Sequence, residues 1–464
     1  MSGFRHQVVR AGPDRIRSLI LGFVVSVCLV GPVDRAAAQV ATGQAQPATG
    51  APGAPPLEPP GVGGLPSGSG SLSLGDWLLS PTLGLYTLYD TNIHSSSTTP
   101  LSGPAFHFNP SILADYNTGI YDTSIYGNID SEVYPTLNYE NNTFNRQAGL
   151  IQKYSPLRDL TFTVQGDYTH STNANVLVNS IPAPITSSAS PPPAGAAGVF
   201  ASQQTVVDPN DVYTATATVD KEFNRAFIKL GGTFSTTAYE TSPLSNFNSK
   251  SYNGSGGFWF SPVFYAFGDG IQSFTEPAVG SGSNYFRARG GIGSAQIGLF
   301  QGSIYYGQQG SEVDYNGGIA GGDIYGGTIS YYPTAVLNLS FGVDRQRNIS
   351  AITSGSPQAL GGLQLAAVGI SPGESAEITT LSLRSNYTIS DQTSAFAVVS
   401  DTLIDQIHGP PMLDSSWLAS IGIRHQLTDK LTLNLDYSYT RYMSETPLTS
   451  FVRDLVTVGA VYRF

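Results

Sequence analysis

From Gly75 to the last residue, hydrophobic and polar side chains alternate in successive runs. Leu160, Phe162, Val164, Gly166 and Tyr168 share one parity, and Thr161, Thr163, Gln165 and Asp167 share the other. Leu337, Leu339, Phe341 and Val343 stand likewise against Asn338, Ser340 and Asp344, and Leu83, Leu85 and Thr87 begin the series. A period of two marks a strand whose two faces meet different surroundings. Each run is about nine to twelve residues, the length of a tilted strand crossing a bilayer. The clearest run places Leu431, Leu433, Leu435, Tyr437 and Tyr439 against Thr432, Asn434, Asp436 and Ser438. Its apolar face passes from aliphatic to aromatic, as a strand reaching a membrane interface does. The final stretch repeats the pattern. Val456, Val458, Ala460, Tyr462 and Phe464 oppose Arg453, Leu455, Thr457, Gly459, Val461 and Arg463, a smaller and more polar set.

The connections alternate in length. Short ones carry turn residues at 117–119, 155–159, 223–225, 261–262, 333–334, 390–392 and 428–430. Longer polar ones fall near 92–101, 131–142, 171–210, 241–250, 275–284, 308–320, 349–374, 406–414 and 444–451. This spacing predicts about 18 strands, or 16 if two Gly-rich strands between Gly290 and Tyr325 are misread. An even number puts both ends of the barrel on the short-turn side. The expected fold is all-β, a transmembrane antiparallel β-barrel of the bacterial outer membrane. A secreted sandwich or β-helix also alternates, but neither explains the regular short–long connections or the aromatic strand ends.

Composition sharpens this. Charged residues make up 12% of the 464 residues, against about 25% in soluble domains. Mean hydropathy is only -0.05, too low for a helical membrane protein, while Gly (52) and Tyr (25) are abundant. Strands that are apolar on one face only produce this combination.

The N-terminus reads as a secretory segment, 1–38. Arg5, Arg10, Arg15 and Arg17 precede the apolar run Leu19–Val30, and Ala36, Ala37 and Ala38 form a cleavage site near Ala38. Residues 39–73 are rich in Pro, Gly and Ala and read as a disordered periplasmic arm, leaving 74–464 as the barrel. Cleavage removes the single cysteine, Cys28, so disulfide and thiol chemistry are excluded. It also removes five Arg and two Asp from the 22 basic and 33 acidic residues, so 17 and 31 remain, net -14. A net acidic chain argues against nucleic acid as partner.

Catalytic chemistry finds little to work with. The five remaining histidines, His94, His107, His170, His408 and His425, have no i, i+4 or Cys partner, so no zinc spacing is present. His94–Ser95 and His170–Ser171 are strand neighbours whose side chains point to opposite faces. There is no Gly-x-Ser-x-Gly elbow and no phosphate loop. No catalytic residue, metal or cofactor is expected, and the chain reads as a non-enzyme. Asp90 and Asn92 read as backbone-binding residues at a strand exit, since the distal ligands of a Ca²⁺ loop are lacking.

The face opposite the apolar one then supplies candidate lumen charges: Lys229, Arg287, Arg289, Arg384 and Arg424, with Asp122, Asp130, Asp167, Asp344 and Asp436. Lumen charges tune which solutes pass. Basic and acidic sets on opposing walls would set up a transverse field, whereas mutual pairing would make a rigid interior.

Tyr86-Thr-Leu-Tyr89-Asp90-Thr-Asn92-Ile93 resembles the early-strand motif of the outer-membrane β-barrel porin family of the second type. The runs ending Ser390-Asp391 and covering His425-Gln-Leu-Thr-Asp-Lys430 are similar to its hairpins, so the resemblance covers roughly Leu74–Phe464. The ending in Tyr462 and Phe464 resembles the C-terminal assembly signal of outer-membrane barrels. The insertion at 171–210 departs from the pattern. The resemblance implies outer-membrane lipid and the barrel-assembly machinery as partners, in a Gram-negative bacterium. It also implies a link, in some members, to exopolysaccharide export. The expected function is a porin-like channel passing hydrophilic solute through a polar lumen. The alternatives are an outer-membrane component that passes polysaccharide, and then a barrel enzyme or surface adhesin.

Overall fold

The computed structural model describes residues 72–93, 98–137, 142–172, 209–240, 246–279, 282–313, 319–349, 375–406, 413–445 and 450–464. The secretory segment, nearly all of the arm, most of the 171–210 insertion, His94 and His408 lie outside the described residues.

A three-residue strand, β1 (Leu72–Leu74), comes first. The wall then runs β2 (Trp77–Asp90), β3 (Gly103–Asn117), β4 (Tyr121–Val133), β5 (Thr143–Leu157), β6 (Leu160–Ser171) and β7 (Asn210–Glu222). It continues with β8 (Ala226–Tyr239), β9 (Phe247–Trp259), β10 (Phe264–Pro277), β11 (Ser283–Ser294), β12 (Phe300–Val313) and β13 (Ile319–Thr334). The last six are β14 (Leu337–Ile349), β15 (Ser375–Ser390), β16 (Thr393–Gln406), β17 (Leu413–Thr428), β18 (Leu431–Met443) and β19 (Phe451–Arg463). Each of β2 to β19 pairs antiparallel with the next, and β19 pairs with β2. The result is a closed barrel of 18 strands, in which the Gly-rich β11, β12 and β13 are all present, so 16 is excluded. Closure leaves no long edge with unpaired backbone groups.

Eight short turns lie at one end and nine connections at the other. The turn that the spacing of polar residues failed to mark joins β11 to β12. There Gly298 takes φ +60° and Ile297 bridges Phe300. Gly119 takes φ +85° in the β3–β4 turn, where Asn117 Oδ1 accepts from its backbone N–H at 2.7 Å. Both φ values lie in the left-handed region that favours glycine.

The seam has a division of labour. β19 covers β2 only from Thr82 to Asp90, with Tyr462 opposite Leu83. The Phe464 backbone N–H donates to Pro81 O at 3.2 Å. Below that point β1 takes over the same edge, pairing Leu72–Leu74 with Trp77–Leu79. Leu72–Leu74 thus finish covering the edge.

Apolar side chains sit mainly outside. Val164, Leu230, Ile304, Ile421 and Val458 are all more than half exposed on the outward parity. Aromatic residues bound this belt. At the turn end Tyr121, Tyr154 and Phe162 stack in series, Phe300 stacks on Tyr331 at 4.7 Å, and Tyr462 meets Phe464 edge-on at 5.0 Å. At the loop end Tyr168 meets Tyr213 and Tyr252 meets Phe274. The carboxylate of Asp401 interrupts the apolar parity between Leu381 and Trp417. It lies towards the loop end, level with Trp417.

Candidate functional site in the channel wall

The inward face is built largely of Ser, Thr, Asn, Gln and charged residues, with rings laid over glycines. Tyr86 is the register partner of Gly459, Tyr126 of Gly149, Phe267 of Gly291, Tyr305 of Gly326 and Phe396 of Gly422. At each of these glycines a Cβ would run into its partner's ring. The rings therefore lie flat across the neighbouring strand. This is the aromatic cover of a strand glycine, and it explains why a chain rich in Tyr is also rich in Gly. Flat rings cover backbone without projecting into the interior.

Lys229, Arg287, Arg289, Arg384, Arg424, Asp122, Asp130, Asp167, Asp344 and Asp436 all fall on the inward parity. Their neighbours differ. Arg289 Nε donates to Asp269 Oδ1 at 2.5 Å, with its side chain only 2% exposed, and Arg287 lies 3.8 Å from the same carboxylate. The Arg289 guanidinium stands 4.7 Å over the Tyr305 ring, whose hydroxyl donates to Asp344; Gln346 donates to the other oxygen of Asp344 at 2.6 Å. Arg424 approaches the Phe396 ring at 6.0 Å and interacts electrostatically with Asp436. On this half of the wall the two signs interleave and do not oppose one another. The β3–β6 side carries Asp115, Asp122, Asp130 and Asp167, with Lys153 opposite Asp122 and His107 bonded to Asp130. Asp167 Oδ1, Asp436 Oδ1 and Arg287 Nε are buried without a protein hydrogen-bond partner.

The inward face is not uniformly polar, contrary to the simple alternation. Ile378, Ile404, Tyr442 and Phe451 form a buried apolar cluster at the loop end of β15–β19. Leu113 and Ile151 form another, with Tyr126 against them.

Asp90 and Asn92 belong to the seam. Arg453 Nε donates to both Asp90 oxygens, at 3.0 and 2.9 Å, and Asp90 is fully buried. Asp90 Oδ1 accepts from the Asn92 backbone N–H at 2.8 Å, and Asn92 Nδ2 donates to Val452 O at 3.1 Å. The Thr91 backbone N–H donates to Asp454 O at 3.0 Å, and the Asp454 N–H to Thr91 Oγ1 at 2.8 Å. The expected backbone-binding role is present, together with a cross-seam partner that only closure supplies. Just past β4, burial, followed by Glu132, pushes the Tyr134 hydroxyl well above its usual range.

No family model matches the chain, and no curated protein matches it. Solved structures match in architecture. The outer membrane protein OpdK of Pseudomonas aeruginosa is 10% identical with a TM-score of 0.47, covering 82% of this chain and 98% of that one. A BenF-like porin from Pseudomonas fluorescens is 10% identical with a TM-score of 0.49, covering 83% and 99%. The siderophore receptor PirA of P. aeruginosa also matches, at 9% identity and a TM-score of 0.41, covering 83% and 80%. Barrels described both as porins and as a receptor are thus among the matches, and fold alone does not assign function.

The parity rule that gave the expected charges also holds for Asp115, Lys153, Asp269, Arg453 and Arg463, which it could have named. It could not have found the group at the outer rim. His170 Nδ1 lies 3.0 Å from Asp211 Oδ1 and 4.0 Å from Glu240 Oε1, across gaps of 41 and 70 residues in the chain.

Proposed function

We propose that this chain is a porin-like channel of the Gram-negative outer membrane, passing hydrophilic solute with no chemical step. The observation that carries it is the inversion of the wall, with apolar side chains facing out between two aromatic girdles and polar and charged ones facing in. Outward apolar residues need an apolar solvent, and a belt of this kind is what a bilayer covers. An 18-strand wall is wide enough for an aqueous interior. The inward cations Lys229, Arg287, Arg289, Arg384 and Arg424 and their acidic neighbours set the ion preference of the path. Delivery follows cleavage near Ala38, and the barrel-assembly machinery reads Tyr462 and Phe464.

The test is purified protein in a planar bilayer. Steady conductance with a defined ion preference is expected. A silent bilayer, with the same protein showing heat-modifiable gel mobility, overturns the channel. A deletion strain that stops secreting polysaccharide while its general permeability is unchanged would point instead to export, a role that rests on the family resemblance alone.

A further inference from the structure

The outer ends of β5 to β8 bring a polar group together on the outward side of the wall. His170 and Asp211 are register partners on β6 and β7, and Glu240 follows β8. One donor atom from each of the three lies within 4.8 Å of the others. Ions bound tetrahedrally at about 2.0–2.2 Å space their donors roughly 3.4 Å apart. The observed 3.0 and 4.0 Å separations bracket that spacing. The Tyr168 hydroxyl donates to Asp211 Oδ1 at 2.8 Å, orienting it as an outer partner orients a ligand. Glu240 is over half exposed, which leaves the solvent side open for a further ligand.

A second observation lies directly below. Tyr168 and Tyr213 separate this group from an open groove of about 520 Å³ in the outward face. Its floor is Ala148, Gly166 and Ala215, and its sides are Ile125, Leu150 and Phe234. The floor is low because Gly166 and its register partner Ala215 lie side by side, with Ala148 next to them on β5, opposite Tyr168. Arg146, the register partner of His170, stands 5.8 Å from the Tyr168 ring at the head of the groove.

We propose that His170, Asp211 and Glu240 hold a divalent cation that docks the phosphate of a membrane lipid, whose acyl chain lies in the groove. The inference rests on the reading that this face meets lipid. Two carboxylates with a neutral imidazole suit a divalent ion such as Zn²⁺, with one protein-free position. A lipid phosphate fills that position and meets Arg146 by a charge-assisted hydrogen bond. The groove then accounts for the lipid chain, as a headgroup site alone would not.

Zn²⁺ is titrated calorimetrically into chelator-treated, untagged full-length protein. One equivalent should bind. Asp211→Asn combined with Glu240→Gln should abolish binding, and Tyr168→Phe should weaken it about tenfold. Equal binding by wild type and the double variant, or none by wild type, overturns the cation site. For the lipid, the protein is placed in phosphatidylcholine nanodiscs containing phosphatidic acid, and retained lipid is read by native mass spectrometry. Phosphatidic acid should be retained with Zn²⁺ and lost with chelator. Filling the groove by Gly166→Leu, where no atom lies within 4 Å of a new Cβ, should lose the lipid while keeping the Zn²⁺. Retention that ignores both changes overturns the lipid half. Heat-modifiable mobility confirms that each variant folds. Conductance should be unchanged in all of them, so failure here is distinguishable from failure of the channel.

Discussion

At the scale of single residues, the wall depends on glycines that accept a neighbour's ring and on buried ion pairs, Arg453–Asp90 at the seam among them. Gly459 is the clearest case, because Tyr86 crosses the seam to lie on it. Gly459→Ala must push that ring away or open the seam. The temperature at which the compact gel form is lost should fall, and adding Tyr86→Ala should recover part of the loss. Arg453→Ala leaves the fully buried Asp90 without its counter-ion. Removing one partner of a buried pair costs about 3–5 kcal/mol. Urea unfolding in lipid vesicles should show that loss, and Asp90→Asn in the same chain should reduce it. If the double variant is as unstable as Arg453→Ala alone, the ion pair is not what holds the seam.

At the scale of elements, each strand is specified by alternation, and alternation predicts opposite consequences for adjacent residues. Leu435 faces out and Thr432 faces in on β18. An arginine at the lipid face near mid-membrane costs about 2–4 kcal/mol, while a lumen position is spared most of that. Leu435→Arg should therefore destabilise the vesicle-inserted barrel by that amount, and Thr432→Arg by much less. Tyr462 and Phe464 meet edge-on outside the wall, yet the Phe464 backbone is the last to bond β2 before β1 takes over the edge. Deleting Phe464 should reduce the fraction of protein recovered folded in the outer membrane, by losing a seam bond and, on the proposed reading, the assembly signal.

For the whole molecule, the inward charges form two kinds of wall. Arg289, packed between Asp269 and Tyr305, holds three strands together, while Arg424 flanks a more loosely held carboxylate, Asp436. Neutralising Arg287, Arg289, Arg384 and Arg424 together should move the reversal potential in a salt gradient towards cation preference. Arg289→Gln alone should lower stability more than it moves that potential. An unchanged potential in the fourfold variant would make these residues structural.

What the sequence by itself determined was local and periodic. Side-chain direction has a period of two, so parity alone placed Arg384 and Asp167 inside and Val458 and Leu435 outside, and turn residues marked seven of the eight short turns. The turn at Gly298 escaped because the flanking strands are themselves Gly-rich and give it no contrast. What only the tertiary structure decided was register: which residue of one strand faces which of the next. Register depends on the hydrogen-bond ladder and on closure, and neither leaves a mark at fixed spacing in the chain. Thus Asp90 met Arg453 from the far end of the sequence, Arg289 met Asp269, glycines met their rings, and His170 met Asp211 and Glu240.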